Sequence, residues 1–289
     1  MSFDSDPRAV GPRIRMMMPM LTPLEAKVVE TVFALSDFSE ETALKDLADL
    51  AGVSEAMVVK IAKKLGFAGY RAFRKGVVRY NRLPTAEMHR EVSPQDTSRD
   101  IVEKVFRTSM QALEETLAIL DYEAFDRAAD LLVRAKHRDF YGLGGSAQIA
   151  RDAAHKFLRI GVRASVCDDT HMMMMSAALL DPRDAVVAFS HSGNSTSVIE
   201  AAQLARRNGA RVIAITNYGT SALAKSADIV LCSTAQGSPL MGENAAARIA
   251  QLNILDALFV VVAQRDYASA ERNLDRTMSA VTSKRKDKT

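Results

Sequence analysis

Cysteine is scarce in this chain: Cys167 and Cys232 are the only two among 289 residues, and they stand far apart. Neither has the Cys-x-x-Cys or Cys-x-x-His spacing of a zinc site, and two distant thiols make no disulfide framework. The usage fits a reducing cytosol. No uncharged apolar stretch approaches the roughly 18 residues that a spanning helix needs, so no membrane partner is expected. The opening MSFDSDPRAVGPRIRMMMPM carries acids and three prolines without a sustained apolar segment, which excludes a signal peptide and gives a cytoplasmic address. What the chain does have is an ordinary globular balance, 48% apolar and 25% charged, over a length whose natural reading is two domains.

The net charge of +3 is uninformative until it is located along the chain. Between Glu55 and Arg82 there are eight basic residues and one acid, so 28 residues hold +7 and the remainder is slightly acidic. Positive charge gathered on a small N-terminal unit is the electrostatic footprint of a polyanion binder.

The same region carries a helix-turn-helix pattern. LTPLEAKVVETVFALS starts a helix, with Thr22 as cap and Pro23 at the first helical position. In ALKDLADLAG, the residues Leu44, Leu47, Ala48 and Ala51 share one face, and Gly52 ends the helix. Ser54 caps EAMVVKIAKKLG, whose buried stripe is Val58, Ile61, Ala62 and Leu65. Two short helices crossing steeply need a small residue where they touch, here Ala48, and a turn glycine four positions on, here Gly52. The second helix would enter the major groove of operator DNA, presenting Ser54, Glu55, Ala56, Val59, Lys60 and Lys63. Lys60, Lys63, Lys64, Arg71 and Arg74 are candidates for phosphate contacts, which set affinity and salt dependence without reading sequence.

NRLPTAEMHREVSPQDTSRD, with two prolines and few large apolar residues, is the best boundary in the chain. We expect a DNA-binding domain over 22–82, a linker over 83–100, a second domain with N-terminal helices over 101–265, and a tail over 266–289. Past the linker, helical segments alternate with the short apolar runs DFYGLG, VRASVC, AVVAFS, RVIAIT and DIVLCS. That alternation predicts an α/β fold, a parallel sheet covered on both faces as an α/β/α sandwich, joined to an all-α N-terminal domain. Ligands of such sheets gather at the carboxyl ends of the strands.

Two of those ends are conspicuous. One run closes with Gly142-Leu143-Gly144-Gly145-Ser146 and another with Ser190-His191-Ser192-Gly193-Asn194-Ser195, and both lead straight into helices. Backbone amides of a glycine-rich turn and a helix N-terminus suit an anion, and serine hydroxyls donate without adding charge. The chemistry fits a phosphate monoester on a small polar molecule. GLGGSA lacks the third glycine of a dinucleotide fingerprint and no Gly-Lys-[Ser/Thr] follows it, so neither a Rossmann nucleotide site nor a P-loop is expected. No metal and no cofactor are expected.

GLGGS, FSHSGNST and AITNYGTSALAKSADIVL together resemble the SIS (sugar isomerase) domain, a phosphosugar-binding module. The helix-turn-helix followed by KLGFAGYRAFR resembles the N-terminal domain of RpiR-family transcriptional regulators, which join these two modules. The resemblance spans roughly residues 22–265, and DTHMMMMSAALL and HKFLRIGVR look most like regulators of ribose and allose phosphate catabolism. It implies a non-enzymatic regulator, a homodimer or homotetramer, that binds double-stranded operator DNA and a phosphorylated sugar effector. It places phosphate binding on Ser146, Ser190, Ser192 and Ser195, with backbone help around His191 and Gly193. Many members have Glu or Arg where this chain has Asn194, so sugar contacts at Asn194 and Gly145 are a looser expectation. His171 could reach a sugar hydroxyl or sit at an interface or helix cap. Glu243 is a further candidate sugar contact, and as an acid just ahead of a long helix it reads first as an N-terminal helix charge. It also matches a region where isomerases built on this module carry a catalytic base, so the rival expectation is an aldose–ketose phosphate isomerase with an appended DNA-binding domain.

Overall fold

The computed structural model describes residues 6–35, 37–84, 92–235 and 244–286. The chain divides into two compact units, one of residues 1–119 with 234–243, the other of residues 120–233 with 244–289.

Among the described residues the first unit is helical, with α1 (Val10–Met17), α2 (Pro23–Ala34), α3 (Leu44–Ala51), α4 (Glu55–Lys64), α5 (Tyr70–Asn81) and α6 (Ser98–Ile119). Thr22 and Glu25 form a reciprocal capping box at the start of α2. Gly52 takes φ +70° after α3, and the Val53 amide then bonds back to the Ala48 carbonyl, closing the turn with glycine where a side chain would be strained. Ser54 caps α4 by accepting from the Met57 amide. Val28, Val32, Leu47, Ala48, Val58, Ile61 and Phe73 make one core, joined by Val10 and Ile14 of α1.

Two boundaries move. The domain start expected at 22 is too late, because Val10 and Ile14 are buried in the head and Gly11 lies so close to Tyr80 that a Cβ there would be 2.3 Å from its ring. The second-domain start expected at 101 is too early, because α6 belongs to the first unit. Its attachment is polar: Tyr80 Oη donates to Glu115 Oε1 at 2.6 Å, Gln111 Nε2 donates to the same oxygen at 2.8 Å, and Arg15 pairs with Glu115.

The second unit runs α7 (Tyr122–Arg134), β1 (Arg138–Tyr141), α8 (Gly145–Arg159), β2 (Ala164–Cys167), α9 (Thr170–Leu179), β3 (Ala185–Phe189), α10 (Thr196–Arg207), β4 (Arg211–Thr216), α11 (Ala222–Ser226), β5 (Ile229–Cys232), α12 (Asn244–Arg265) and α13 (Tyr267–Lys286). All strand pairs are parallel and the order is β2-β1-β3-β4-β5. Side chains alternate across the sheet as the pleat requires. Phe140, Val187, Phe189, Ile213 and Ile215 face α7, α8 and α12, while Tyr141, Val186, Ala188, Val212 and Ala214 face α9, α10 and α11. On the second face, buried Asp139 accepts from Tyr141 Oη at 3.2 Å and from Ser176 of α9, while His137 Nε2 lies 2.9 Å from its other oxygen.

Among the described residues α12 is the one helix long and apolar enough to cross a membrane. Here it packs on α7 and α8, with Ile254, Leu255 and Leu258 in the core. The expected tail is also ordered structure as far as 286: α13 packs on α8, and Asn273 Nδ2 donates to the Ile160 carbonyl at 3.0 Å.

The Lys64 ammonium, 2.6 Å from Glu25, and the Thr22 amide hold the Glu25 carboxyl below the usual glutamate range. A lowered folded pKa stabilises the head at pH values above the ordinary glutamate range, and that contribution is lost as pH falls through the folded value. Glu25→Gln should therefore melt at a lower temperature than the parent at pH 7 and converge with it in acid. Melting curves from pH 7 to pH 3 check this, and a parallel offset across the range would refute it.

Candidate functional site: a recognition helix and a two-loop anion cradle

In the head, α4 lies open at its N-terminal end. Ser54, Glu55, Ala56, Lys60 and Lys63 are exposed, Val59 is half-buried, and Arg71 is exposed at the start of α5. Two of the expected phosphate contacts are engaged elsewhere. Lys64 is turned onto Glu25, and Arg74 donates to the Thr42 carbonyl at 2.7 Å with its guanidinium stacked 5.6 Å from the Tyr70 ring. Both side chains tie α4 and α5 to the rest of the head, a role that charge counting along the sequence does not reveal.

In the second unit the strand order makes the site. β1 and β3 are neighbours, with Tyr141 in register with Ala188, so loops 142–146 and 190–195 leave the sheet from adjacent strands. The loop after β1 feeds α8 on one face and the loop after β3 feeds α10 on the other. Adjacent loops that part to opposite faces open a crevice, the switch point at which doubly wound sheets bind ligands.

The helices on either side of that crevice begin differently from their neighbours. α7, α9 and α11 are capped by the side chains of Asp121, Asp169 and Ser221. α8 and α10 have no side-chain cap: Gly144 has no side chain to offer, and Ser195 makes no capping bond. In α10 the first-turn amides have no side-chain cap and are donors for an anion at the positive end of the helix dipole. In α8 the Ser146 and Ala147 amides donate to the Leu143 and Gly144 carbonyls at 3.1 and 3.2 Å, so that helix offers its dipole and the Ser146 hydroxyl. Gly142 has no room for a Cβ, which would sit 2.6 Å from the Ser146 carbonyl, so the loop folds tightly back onto the start of α8.

The second loop is a compact hydroxyl nest. Buried Ser190 accepts through Oγ from the Gly193 amide at 3.1 Å and lies 3.2 Å from Ser195 Oγ. Ser192 accepts from the Asn194 amide at 3.2 Å, and both residues are exposed at the tip. Behind the loop stands a wall from β4 and α11. The His191 carbonyl accepts from the Asn217 amide at 3.1 Å and Thr216 Oγ1 at 3.2 Å, and the Gly193 carbonyl accepts from the Leu223 amide at 2.9 Å. The His191 ring meets Tyr218 edge-on, 6.1 Å between centroids. Thr216, Asn217 and Ser221 were not among the expected site residues, although they lie in AITNYGTSALAKSADIVL, one of the stretches that carry the resemblance.

Ser190, His191, Ser192, Gly193, Asn194 and Ser195 thus lie on the loop after β3, and across the crevice Gly145 and Ser146 are the first two residues of α8. His171 does not join them directly. It is exposed in the first turn of α9, behind β2, and its amide donates to the capping Asp169 at 2.9 Å. Glu243 lies outside the described residues. No group of three or more His, Cys, Asp or Glu positioned for a metal occurs among the described residues.

A helix-turn-helix head and a switch-point cradle of amides and hydroxyls in one chain define a ligand-responsive DNA-binding protein. Comparison with known proteins agrees. Residues 9–80 match the helix-turn-helix domain of the rpiR family and residues 131–261 match the SIS domain. The chain is 41% identical over 282 residues to the HTH-type transcriptional regulator RpiR of Escherichia coli, covering 96% of this chain and 95% of that one. It is 32% identical over 276 residues to the regulator HexR of the same organism, covering 96% and 95%. Among solved structures, Vibrio vulnificus NanR in complex with ManNAc-6P matches with a TM-score of 0.60 and 25% identity, over 93% of this chain and 97% of that one. The chain belongs to the RpiR family of helix-turn-helix transcriptional regulators, and it is a regulator, not an enzyme.

Gly193 sits at φ +64° with the Ser221 hydroxyl 2.0 Å from where a Cβ would be. Gly193→Ala should destabilise the protein by roughly 1–3 kcal/mol, the cost of holding a side chain in strained backbone. Chemical denaturation measures it, and an unchanged midpoint would contradict the packing described.

Proposed function

We propose that this protein is a cytoplasmic repressor of carbohydrate-metabolism genes, relieved when a sugar phosphate occupies the crevice between loops 142–146 and 190–195. The observation that carries the reading is the pair of helices, α8 and α10, left without side-chain caps at the switch point of the sheet. Ser146, Ser190, Ser192 and Ser195 are the phosphate hydroxyls, with the amides around His191 and Gly193 beside them. Gly145 and Asn194 stand nearer the sugar, while His171, in the first turn of α9, lies apart from both loops. The NanR neighbour, solved with ManNAc-6P, supports the ligand class. Buried Ser190 holds the loop's shape through the Gly193 amide, while exposed Ser192, its oxygen accepting from the Asn194 amide, keeps its hydroxyl proton to donate to a ligand.

The protein acts as a homodimer or homotetramer, so that two heads read an inverted repeat. Ser54, Glu55, Ala56 and Val59 face base edges, and Lys60, Lys63 and Arg71 contact phosphates. Effector and operator are coupled only through a difference between two arrangements of the chain, typically ~1–3 kcal/mol.

A melting screen with ribose, allose, glucosamine, N-acetylmannosamine and N-acetylmuramic acid phosphates tests the effector. The true ligand should stabilise the protein by about 2.7 kcal/mol at 100 times its Kd, and the unphosphorylated sugar should not. Ser190→Ala with Ser192→Ala should abolish that shift and leave operator binding intact. Silence with every phosphosugar, or loss of DNA binding in the double variant, would overturn the assignment.

At the head, Lys63→Ala should weaken binding about equally for operator and unrelated DNA and reduce the salt slope by about 1. Titrations at several salt concentrations measure this. A loss confined to the operator would assign Lys63 to base reading instead.

A further inference from the structure

α6 is amphipathic in the wrong sense for a helix that only packs on its own domain. At about 100° per residue its faces separate cleanly. The face against the head carries Thr108, Gln111, Ala112 and Glu115, all buried and three of them polar. The opposite face is apolar and open: Val102 is 56% exposed, Phe106 67%, Met110 46% and Leu117 55%, with Leu113 half-buried among them. A contiguous exposed apolar stripe of this length marks an association surface.

We infer that this stripe is where two copies of the chain join, α6 lying antiparallel on α6 of the second copy about a two-fold axis between Ser109 and Met110. The stripe is self-complementary in that direction. Reversing the helix about that point carries Val102 onto Leu117, Phe106 onto Leu113 and Ser109 onto Met110. A two-fold contact requires this property, each residue meeting its reversed counterpart. The flanking charges agree. Arg107 and Glu114 lie on the same edge of the stripe, so antiparallel pairing sets Arg107 of each copy beside Glu114 of the other, twice over. Parallel pairing would set this edge against the other edge of the stripe, which carries Val105 and Ser109, and would form no such pair. The buried Glu115 network fixes the roll of α6 on its own head, so joining α6 to α6 also fixes how two recognition helices are spaced.

Disulfide trapping in the full-length protein tests the geometry. Ser109→Cys, nearly isosteric and next to the axis, should give predominantly cross-linked dimer under mild oxidation on a non-reducing gel. The parent chain, whose Cys167 is buried and Cys232 half-buried, should give none. Arg99→Cys, which antiparallel pairing separates from its mate by about 30 Å along the helix, should stay uncross-linked. Adding Phe106→Glu to Ser109→Cys should suppress cross-linking at least ten-fold with helical content unchanged. Failure of Ser109→Cys to cross-link, equal cross-linking by Arg99→Cys, or cross-linking that survives Phe106→Glu would each overturn the inference. The first of these would leave the stripe to a different partner.

Discussion

Parallel strands can be joined only by crossovers, and crossovers have one hand. In a sheet ordered β2-β1-β3-β4-β5, the connection from β1 travels one way and the connection from β3 the other. Fixed handedness then sends α8 and α10 to opposite faces, and a gap opens where the two loops diverge. No residue of the cradle causes that gap. The serines, the glycines and the uncapped helix starts decorate a crevice that chain topology has already made.

What decorates it is neutral. The loops flanking the crevice offer hydroxyls, amides and helix dipoles, with no lysine or arginine among residues 142–146 or 190–195. Fixed positive charge would hold any phosphate, including the inorganic ion and nucleic acid. A neutral cradle depends on geometry and desolvation, which suits a sensor that must distinguish one phosphorylated metabolite from the anionic polymer its other domain binds. The division of charge follows: the net positive charge is concentrated between Glu55 and Arg82 in the head, and the two loops beside the crevice carry no lysine or arginine.

Much of this was legible in the amino-acid sequence. Ala48, Gly52 and Ser54 mark the helix-turn-helix because each has a local steric or capping reason, and short-range reasons survive reading in one dimension. The five strands were legible because burial on both faces leaves unbroken apolar runs. Other features required three dimensions. Lys64 and Arg74 look like neighbouring phosphate ligands until Glu25 and the Thr42 carbonyl, distant in sequence, are brought to them. α1 hides behind prolines and a run of methionines, with only Val10 and Ile14 one turn apart to betray it. α6 carries a regular helical period, yet which of its faces is covered depends on the partner of Glu115, and that partner is remote. The adjacency of β1 and β3 is likewise a matter of pairing, and no local pattern encodes it.

The missing side chain at Gly193 has a wider meaning. Because the loop touches Ser221 and Thr216 without intervening space, and because its carbonyls at His191 and Gly193 receive donors from Asn217, Thr216 and Leu223, it has no slack of its own. Closing on a bound molecule therefore cannot be a private motion of six residues. Under the proposed effector site, the corner between β4 and α11 would travel with it and would be the first element to register occupancy.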